Sequence, residues 1–175
     1  MKPLKQYHID QLLSIINLYP SIRVMHFSEN SLELNRSILN LCRKHDYEFQ
    51  LNCTSKEAFD TLSRELDSSP LLHIKEFDLR VPRYAIQAKV YDYLFVSSMI
   101  DDNTKSSFLS KSHAIIKNAG IIIIFVPKIE DKRDDKSIYL WSQLLEESYF
   151  VATNTIDIFD EYDLVVSKKM HGWGG

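Results

Sequence analysis

Apolar residues recur along the chain in two spacings, one typical of helices and one typical of strands. Between residues 4 and 19 they fall at helical spacing and predict an amphipathic helix that ends before Pro20. A second helix is predicted to begin at Asn30 and a third at Thr54, because a glutamate follows each of these residues three positions later, as in a capping box. Two more helices are predicted, over residues 104–118 and around Trp141.

Short apolar or alternating runs between these helices predict strands. Strands that alternate with helices indicate βαβ units and a mainly parallel sheet. The last two runs are separated only by a short acidic turn, so one of them is expected to be antiparallel. The pattern predicts an α/β fold: a doubly wound, mostly parallel seven-stranded sheet with a C-terminal antiparallel hairpin. We expect residues 1–175 to form a single domain, with an N-terminal helix in 1–20 and a tail at 170–175. The strand runs are 22–27, 47–53, 71–77, 91–98, 119–127, 150–159 and 162–169.

The composition is that of an ordinary globular protein and argues against several classes of function. A net charge of −3 and a pI near 6.1 argue against electrostatic binding to nucleic acid, and against binding to a membrane through a polybasic segment. No apolar run is long enough to span a bilayer and the first residues hold no signal-peptide core, so a cytoplasmic protein is expected. Cys42 and Cys53 have no metal-ligand or redox spacing, and are expected to be free thiols. We expect no metal site.

Two long segments carry a family resemblance. "KVYDYLFVSSMIDD", together with "FLSKSHAIIKNAGIIIIFVPK", is similar to the fourth strand, the following helix and the fifth strand of the class I S-adenosylmethionine-dependent methyltransferases. "LLEESYFVATNTIDIFDEYDLVVSKKM" is similar to the closing helix and hairpin of that family. The resemblance covers residues 21–170 by element order, and it implies a Rossmann-like fold with S-adenosylmethionine as the cofactor. Scaffold alone does not establish function.

The resemblance is weaker in the cofactor motif. In "RVMHFSENSL", His26 stands at the acidic position of the family's motif, and Ser28, Asn30 and Leu32 stand where its three glycines occur. Glycine serves that turn because a Cβ would block close approach of the cofactor. We therefore expect these three side chains to close the site. A phosphate-binding glycine loop is excluded, since no glycine precedes Gly120.

The resemblance also implies contacts at the ends of later strands. Asn52 stands where the family has a carboxylate for the ribose, and Asp78, with Leu79 beside it, stands where an aspartate often contacts adenine. Ser97 follows the fourth strand, where substrate residues often lie. Other roles remain open: His26 as a hydrogen-bonded histidine at a strand end, Asp78 as a turn cap, and Asn52 with a neighbouring threonine as a helix cap. The cofactor-binding candidates are His26, Ser28, Asn30, Asn52, Asp78, Leu79 and Ser97, with no catalytic residue assigned.

Two functions follow from these residues. The first is a divergent methyltransferase-like domain with a degenerate cofactor site, acting as a non-catalytic binding or interaction module without a cofactor. The second is an active methyltransferase that binds S-adenosylmethionine through a non-standard site. The tail "KKMHGWGG" places Trp173 between glycines, which favours a contact with a protein partner or with a second copy of the chain.

Overall fold

The computed structural model describes residues 1–171 of the chain, and the predicted contact at Trp173 lies outside them. Five α-helices and one short 3₁₀ helix (Asp102–Thr104) accompany one seven-stranded sheet in this described part. The helices are α1 (Gln6–Leu13), α2 (Leu32–His45), α3 (Lys56–Glu65), α4 (Lys105–Ile115) and α5 (Asp135–Glu147). The strands are β1 (Arg23–Ser28), β2 (Glu48–Cys53), β3 (Leu72–Glu76), β4 (Tyr91–Val96), β5 (Ile116–Pro127), β6 (Phe150–Ile156) and β7 (Tyr162–Lys169).

The sheet confirms the predicted fold class. Its strand order is β3-β2-β1-β4-β5-β7-β6, and β7 is antiparallel to both of its neighbours while the remaining pairs are parallel. The chain winds outward from β1 to one edge and then returns to build the other half from β4. Because β1 to β4 are parallel, the loops that follow them meet at one edge of the sheet.

Each face of the sheet is covered by its own layer of helices. Helices α1, α2 and α3 bury residues such as Leu12, Ile38 and Leu62 on one face. Helices α4 and α5 bury residues such as Phe108 and Trp141 on the other. The strands at the centre of such a sheet are covered on both sides, which explains why β1 and β4 are almost continuously buried.

The predicted starts of α2 and α3 are each wrong by one residue. Ser31, not Asn30, is the residue before α2, and it makes no side-chain cap bond. Ser55, not Thr54, caps α3, since the Ser55 hydroxyl accepts a hydrogen bond from the Ala58 amide at 3.1 Å. The Thr54 hydroxyl instead forms hydrogen bonds with the Ser28 carbonyl at the end of β1 and with the Ser98 hydroxyl after β4.

Two other predicted helices end earlier than expected. α1 ends at Leu13 because the Ile16 amide bonds back to the Leu13 carbonyl at 3.2 Å, a tighter turn that buries Ile16. α4 ends at Ile115, and the residues predicted to continue it as far as 118 already belong to β5. A left-handed Ala119 (φ 65°) lies within β5, in the stretch where its register with β4 shifts.

The connection between β3 and β4 departs from the regular alternation. Residues 77–90 contain neither helix nor strand, in agreement with the irregular pattern of their sequence. A connection of this length without regular structure is uncommon in a compact domain and is often functional. Among residues 1–171, no helix is long and apolar enough to cross a membrane.

Candidate functional site

A cleft of about 670 Å³ lies above the carboxyl ends of β1 to β4. Each of the four loops that follow these strands contributes to its lining, and α4 closes one side. This is the edge at which open α/β sheets bind their ligands. Representative lining residues are Asn30, Ser55, Asp78, Leu79, Ile100 and Phe108.

Acidic side chains outnumber basic ones in the cleft. Its lining includes four carboxylates, two cationic side chains and the Met1 ammonium group, which lies 3.3 Å from Glu29 Oε2. One of those cations, Arg80, is bound to Asp78, with the Arg80 Nε 3.0 Å from Asp78 Oδ1. Hydrogen bonds from Arg80 hold the pKa of Asp78 below its usual range. The cleft therefore carries an excess of negative charge and favours a cationic ligand. The remaining carboxylates belong to Glu57 and Asp101, and the second cationic side chain is Lys111.

The structure brings three of the seven predicted cofactor residues to the cleft. Asn30, Asp78 and Leu79 line it. The other four are buried beneath it and do not contribute to the lining: His26, Ser28, Asn52 and Ser97.

His26 lies at the centre of a buried hydrogen-bond network. Its Nδ1 is 2.7 Å from Asn35 Oδ1, and its Nε2 is 2.8 Å from the Ser97 hydroxyl. The Asn35 amide nitrogen donates to Ser28 Oγ at 2.9 Å and to the Ser31 carbonyl at 2.8 Å, so the Asn35 oxygen must accept the proton from Nδ1. Ser97 then donates to Nε2. Burial lowers the pKa of His26 to about 4, so the ring is neutral at physiological pH.

Hydroxyl groups cover the end of β1 above this network. The Thr54 hydroxyl lies 3.2 Å from the Ser28 carbonyl and 2.7 Å from the Ser98 hydroxyl, which links β2 to β4 across β1. The Ser97 amide donates to the Phe27 carbonyl at 3.0 Å. A ligand in the cleft consequently meets this cover rather than the imidazole of His26.

Asn52 has no route to the cleft in the described structure. Its side-chain oxygen accepts a hydrogen bond from Gln50 Nε2 at 3.1 Å, and its amide nitrogen has no partner. The side chain is fully buried. Its geometry gives no support to a contact with a ribose.

The expectation that Ser28, Asn30 and Leu32 close the site is wrong. Ser28 is bound to Asn35 beneath the cleft, and Leu32 packs against the core on the α1–α3 face. Only Asn30 lines the cleft, and its side chain is exposed. The space above β1 remains open because two of the three side chains lie elsewhere.

Several residues of the cleft were missed by the sequence analysis. Glu29 and Asp101 follow β1 and β4, so their positions after predicted strands were an available signal. Phe108 and Lys111 lie on α4, where the helical pattern gave no sign that they reach the cleft.

Candidate catalytic chemistry is sparse in this cleft. Within residues 1–171, no histidine, cysteine or tyrosine lines it. The thiols of Cys42 and Cys53 are buried in the core, where burial raises the pKa of each to about 12. No cluster of three or more metal-ligand side chains occurs in the described part of the chain.

Comparisons with known proteins bear on the fold. No family model and no curated protein sequence matches the chain. A Listeria monocytogenes protein assigned to the S-adenosylmethionine-dependent methyltransferases superposes with a TM-score of 0.71 at 11% identity, covering 95% of this chain and 99% of that one. A SAM-dependent methyltransferase from Aquifex aeolicus gives 0.66 at 11%, covering 91% and 88%.

A larger enzyme shares the same fold. Human N-acetylserotonin methyltransferase, solved in complex with SAM, matches with a TM-score of 0.65 at 15% identity. The match covers 93% of this chain and 52% of that enzyme, so the chain spans about half of its length. At such identities the likeness shows the fold alone. The chain has the fold of the class I S-adenosylmethionine-dependent methyltransferases, as the resemblance predicted.

Proposed function

We propose that this domain is a binding module that holds S-adenosylmethionine, or a small cation of the same chemical class, in its acidic cleft without supplying a catalytic side chain. The observation that carries the proposal is the open, carboxylate-rich cleft at the carboxyl ends of β1 to β4. Its volume of about 670 Å³ lies within the range of small-molecule sites.

The chemistry of the lining supports a cationic ligand. S-adenosylmethionine carries a sulfonium and an ammonium group against one carboxylate, and so has a net positive charge. Glu57 and Asp101 would attract it, whereas a phosphate-bearing nucleotide would be repelled. Because this ligand has no pyrophosphate, a turn without glycine can still border its site.

No histidine, cysteine or tyrosine occurs among the described cleft residues, which supports the non-catalytic part of the proposal. The buried imidazole of His26 is covered by hydroxyl groups and is bound on both ring nitrogens.

An active methyltransferase is the second candidate. It is favoured by the accessible mouth of the cleft after β4, where Met99 is 68% exposed and Ile100 lines the cleft beside it. An acceptor molecule would enter there. Methyl transfer to a well-oriented acceptor needs less help from side chains than a hydrolytic reaction, since the sulfonium is itself an activated donor.

The test is a calorimetric titration with S-adenosylmethionine, S-adenosylhomocysteine and ATP. We expect S-adenosylmethionine to bind more tightly than uncharged-sulfur S-adenosylhomocysteine, and ATP not to bind. Removing one cleft charge in Glu57→Gln should weaken S-adenosylmethionine about fivefold, the effect of roughly 1 kcal/mol at a surface site. Glu65→Gln, on the same helix but outside the cleft, is the matched control.

Tighter binding of ATP, or no binding of either sulfur ligand at millimolar concentration, would contradict the ligand class. Release of S-adenosylhomocysteine in the presence of any member of a panel of amine, thiol and phenol acceptors would replace the non-catalytic module with the active enzyme.

A further inference from the structure

The wall of the cleft formed by residues 77–90 has little structure of its own. Only Tyr84 in this segment is buried, and its ring packs between Phe27 and Phe77 at centroid distances of 5.7 and 5.0 Å. The residues that reach the cleft, Asp78 and Leu79 among them, lie outside the buried part. Leu79 is only partly buried against the core of the α4–α5 face, so further contacts are needed to fix its position.

Lys111 on α4 makes those contacts. Its ammonium donates to the Val81 carbonyl at 2.8 Å and to the Leu79 carbonyl at 3.2 Å. The same group lies 4.6 Å from the centre of the Tyr84 ring, which is a favourable cation–π position. Three contacts therefore join one half-buried side chain to the wall.

Tyr84 completes the arrangement from the other side. Its hydroxyl donates to the Leu79 carbonyl at 3.1 Å, so this carbonyl accepts from both Tyr84 and Lys111. The next peptide carries Arg80, which is bound to Asp78 in the cleft. Fixing one carbonyl thus fixes the apolar Leu79 and the Asp78–Arg80 ion pair together.

We propose that Lys111 is a positioning residue that holds the 77–90 wall against α4 and thereby sets the shape of the cleft for its ligand. The proposal rests on the proposed function for the identity of that ligand, but the restraint on the wall does not depend on it. Lysine suits the role because its donors are used on two carbonyls and a ring.

The first experiment measures binding. In Lys111→Met, which keeps the length and apolar stem, we expect the Kd for S-adenosylmethionine to rise at least about tenfold, because the loss of a fixed wall outweighs the removal of one cation from the lining. Lys111→Arg should restore most of the affinity, because its guanidinium can donate to both carbonyls and stack on Tyr84. Lys44→Met, an exposed lysine on α2, is the control and should bind as wild type does. A Kd for Lys111→Met within twofold of wild type would overturn the proposal.

The second experiment needs no ligand and separates the two proposals. Hydrogen exchange of the Arg80 and Val81 amides, which bond within the wall, should be faster in Lys111→Met and unchanged in Lys111→Arg. Unchanged exchange in Lys111→Met would overturn the positioning role even if the ligand binds. Faster exchange in a protein that binds no S-adenosylmethionine would preserve the positioning role and overturn the proposed ligand alone.

Tyr84→Phe provides a second variant if Lys111→Met folds poorly. It removes a single hydroxyl from the Leu79 carbonyl and leaves the ring beneath Lys111. We expect a smaller increase in exchange at Arg80 and Val81 than in Lys111→Met. No increase at all would contradict the shared restraint on Leu79.

Discussion

At the scale of single residues, side-chain hydrogen bonds hold the turn between β1 and α2 in place. His26, Asn35 and Ser97 join β1, α2 and β4 below the cleft, and Asn35 also binds the turn between β1 and α2 through Ser28 and the Ser31 carbonyl. The Asn35 amide nitrogen donates two hydrogen bonds in this network, and the amide oxygen accepts one. The turn is held from below, which leaves its upper surface free to border the cleft.

The buried ring of His26 makes stability depend on pH. Its pKa is lowered to about 4 from an ordinary value of 6.5, so between these pH values the unfolded chain binds a proton that the folded protein excludes. The free energy of unfolding should fall as pH decreases through this window, by up to about 1.4 kcal/mol per pH unit from this residue. Urea unfolding at a series of pH values measures it.

The matched variants for this pH dependence are His26→Gln and His73→Gln. His26→Gln should have a flatter pH profile than wild type, while the exposed His73→Gln should leave the slope unchanged. Parallel profiles for wild type and His26→Gln would show that His26 is not the source of the pH dependence.

The sequence predicts that a buried histidine such as His26 is hydrogen-bonded, but it does not predict which residues are its partners. A histidine within an apolar run is readily interpreted as hydrogen-bonded at a strand end, and His26 fulfils that interpretation. Asn35 and Ser97 are 9 and 71 positions away, and only the packing of α2 and β4 onto β1 brings them to the ring. For the same reason, nothing in the pattern indicated that Ser28 and Leu32 lie away from the cleft.

At the scale of elements, most boundaries depend on a few terminal residues. Helix α2 ends at His45 and is followed by Asp46, which adopts the left-handed conformation with φ 59° and ψ 44°. The Tyr47 amide bonds to the Cys42 carbonyl at 2.9 Å immediately after it. This is the position that glycine most often occupies at helix ends, and a carboxylate there also opposes the helix dipole.

Replacing Asp46 with glycine should stabilise the protein by about 0.5 kcal/mol, because the removal of strain and of an unfavourable charge outweighs the added entropy of the unfolded chain. Asp60→Gly makes the same change at an exposed position within α3 and should destabilise by about the same amount. Thermal unfolding of the two variants measures the difference. Shifts of the same sign in both would contradict the assignment of strain to Asp46.

Periodicity predicted the elements, and local hydrogen bonds decided their ends. The apolar and alternating runs marked all seven strands, because a strand covered on both faces needs a continuous apolar run and a strand covered on one face alternates. The capping patterns at Asn30 and Thr54 were misleading, because Ser31 and Ser55 are equally capable polar residues one position later. The end of α4 was missed because Ile116 suits a buried helix and a buried strand equally well.

At the scale of the whole molecule, the sheet separates two independent core layers. Cys42 on α2 and Cys53 at the end of β2 are both buried in the layer of α1, α2 and α3. Burial raises the pKa of each thiol to about 12, which suppresses the reactive thiolate. The two thiols therefore report on the opening of this layer.

We expect neither thiol to react with DTNB in the native protein at mildly alkaline pH, and both to react once guanidinium unfolds the chain. The native-state rate should follow the fraction of open molecules as denaturant is added. Rapid reaction of one equivalent in the native protein would show that the layer opens locally around one of the two cysteines.

The fold as a whole was predictable because alternating elements permit few topologies. The cleft was not, since its shape depends on the irregular 77–90 wall and on side chains from α4 that meet it only in three dimensions. The net charge of −3 did not predict the charge of the cleft, because it does not show that several carboxylates lie at one edge of the sheet.

The scarcity of glycine affects the state from which the protein folds. Gly120 is the only glycine among residues 1–171, and eight other residues there adopt a positive φ that glycine would accept without strain. Each of them restricts the unfolded chain more than glycine would, so less backbone entropy is lost at every such turn on folding. The backbone is strained at these positions in the folded protein, and the smaller entropy of the unfolded chain offsets part of that strain.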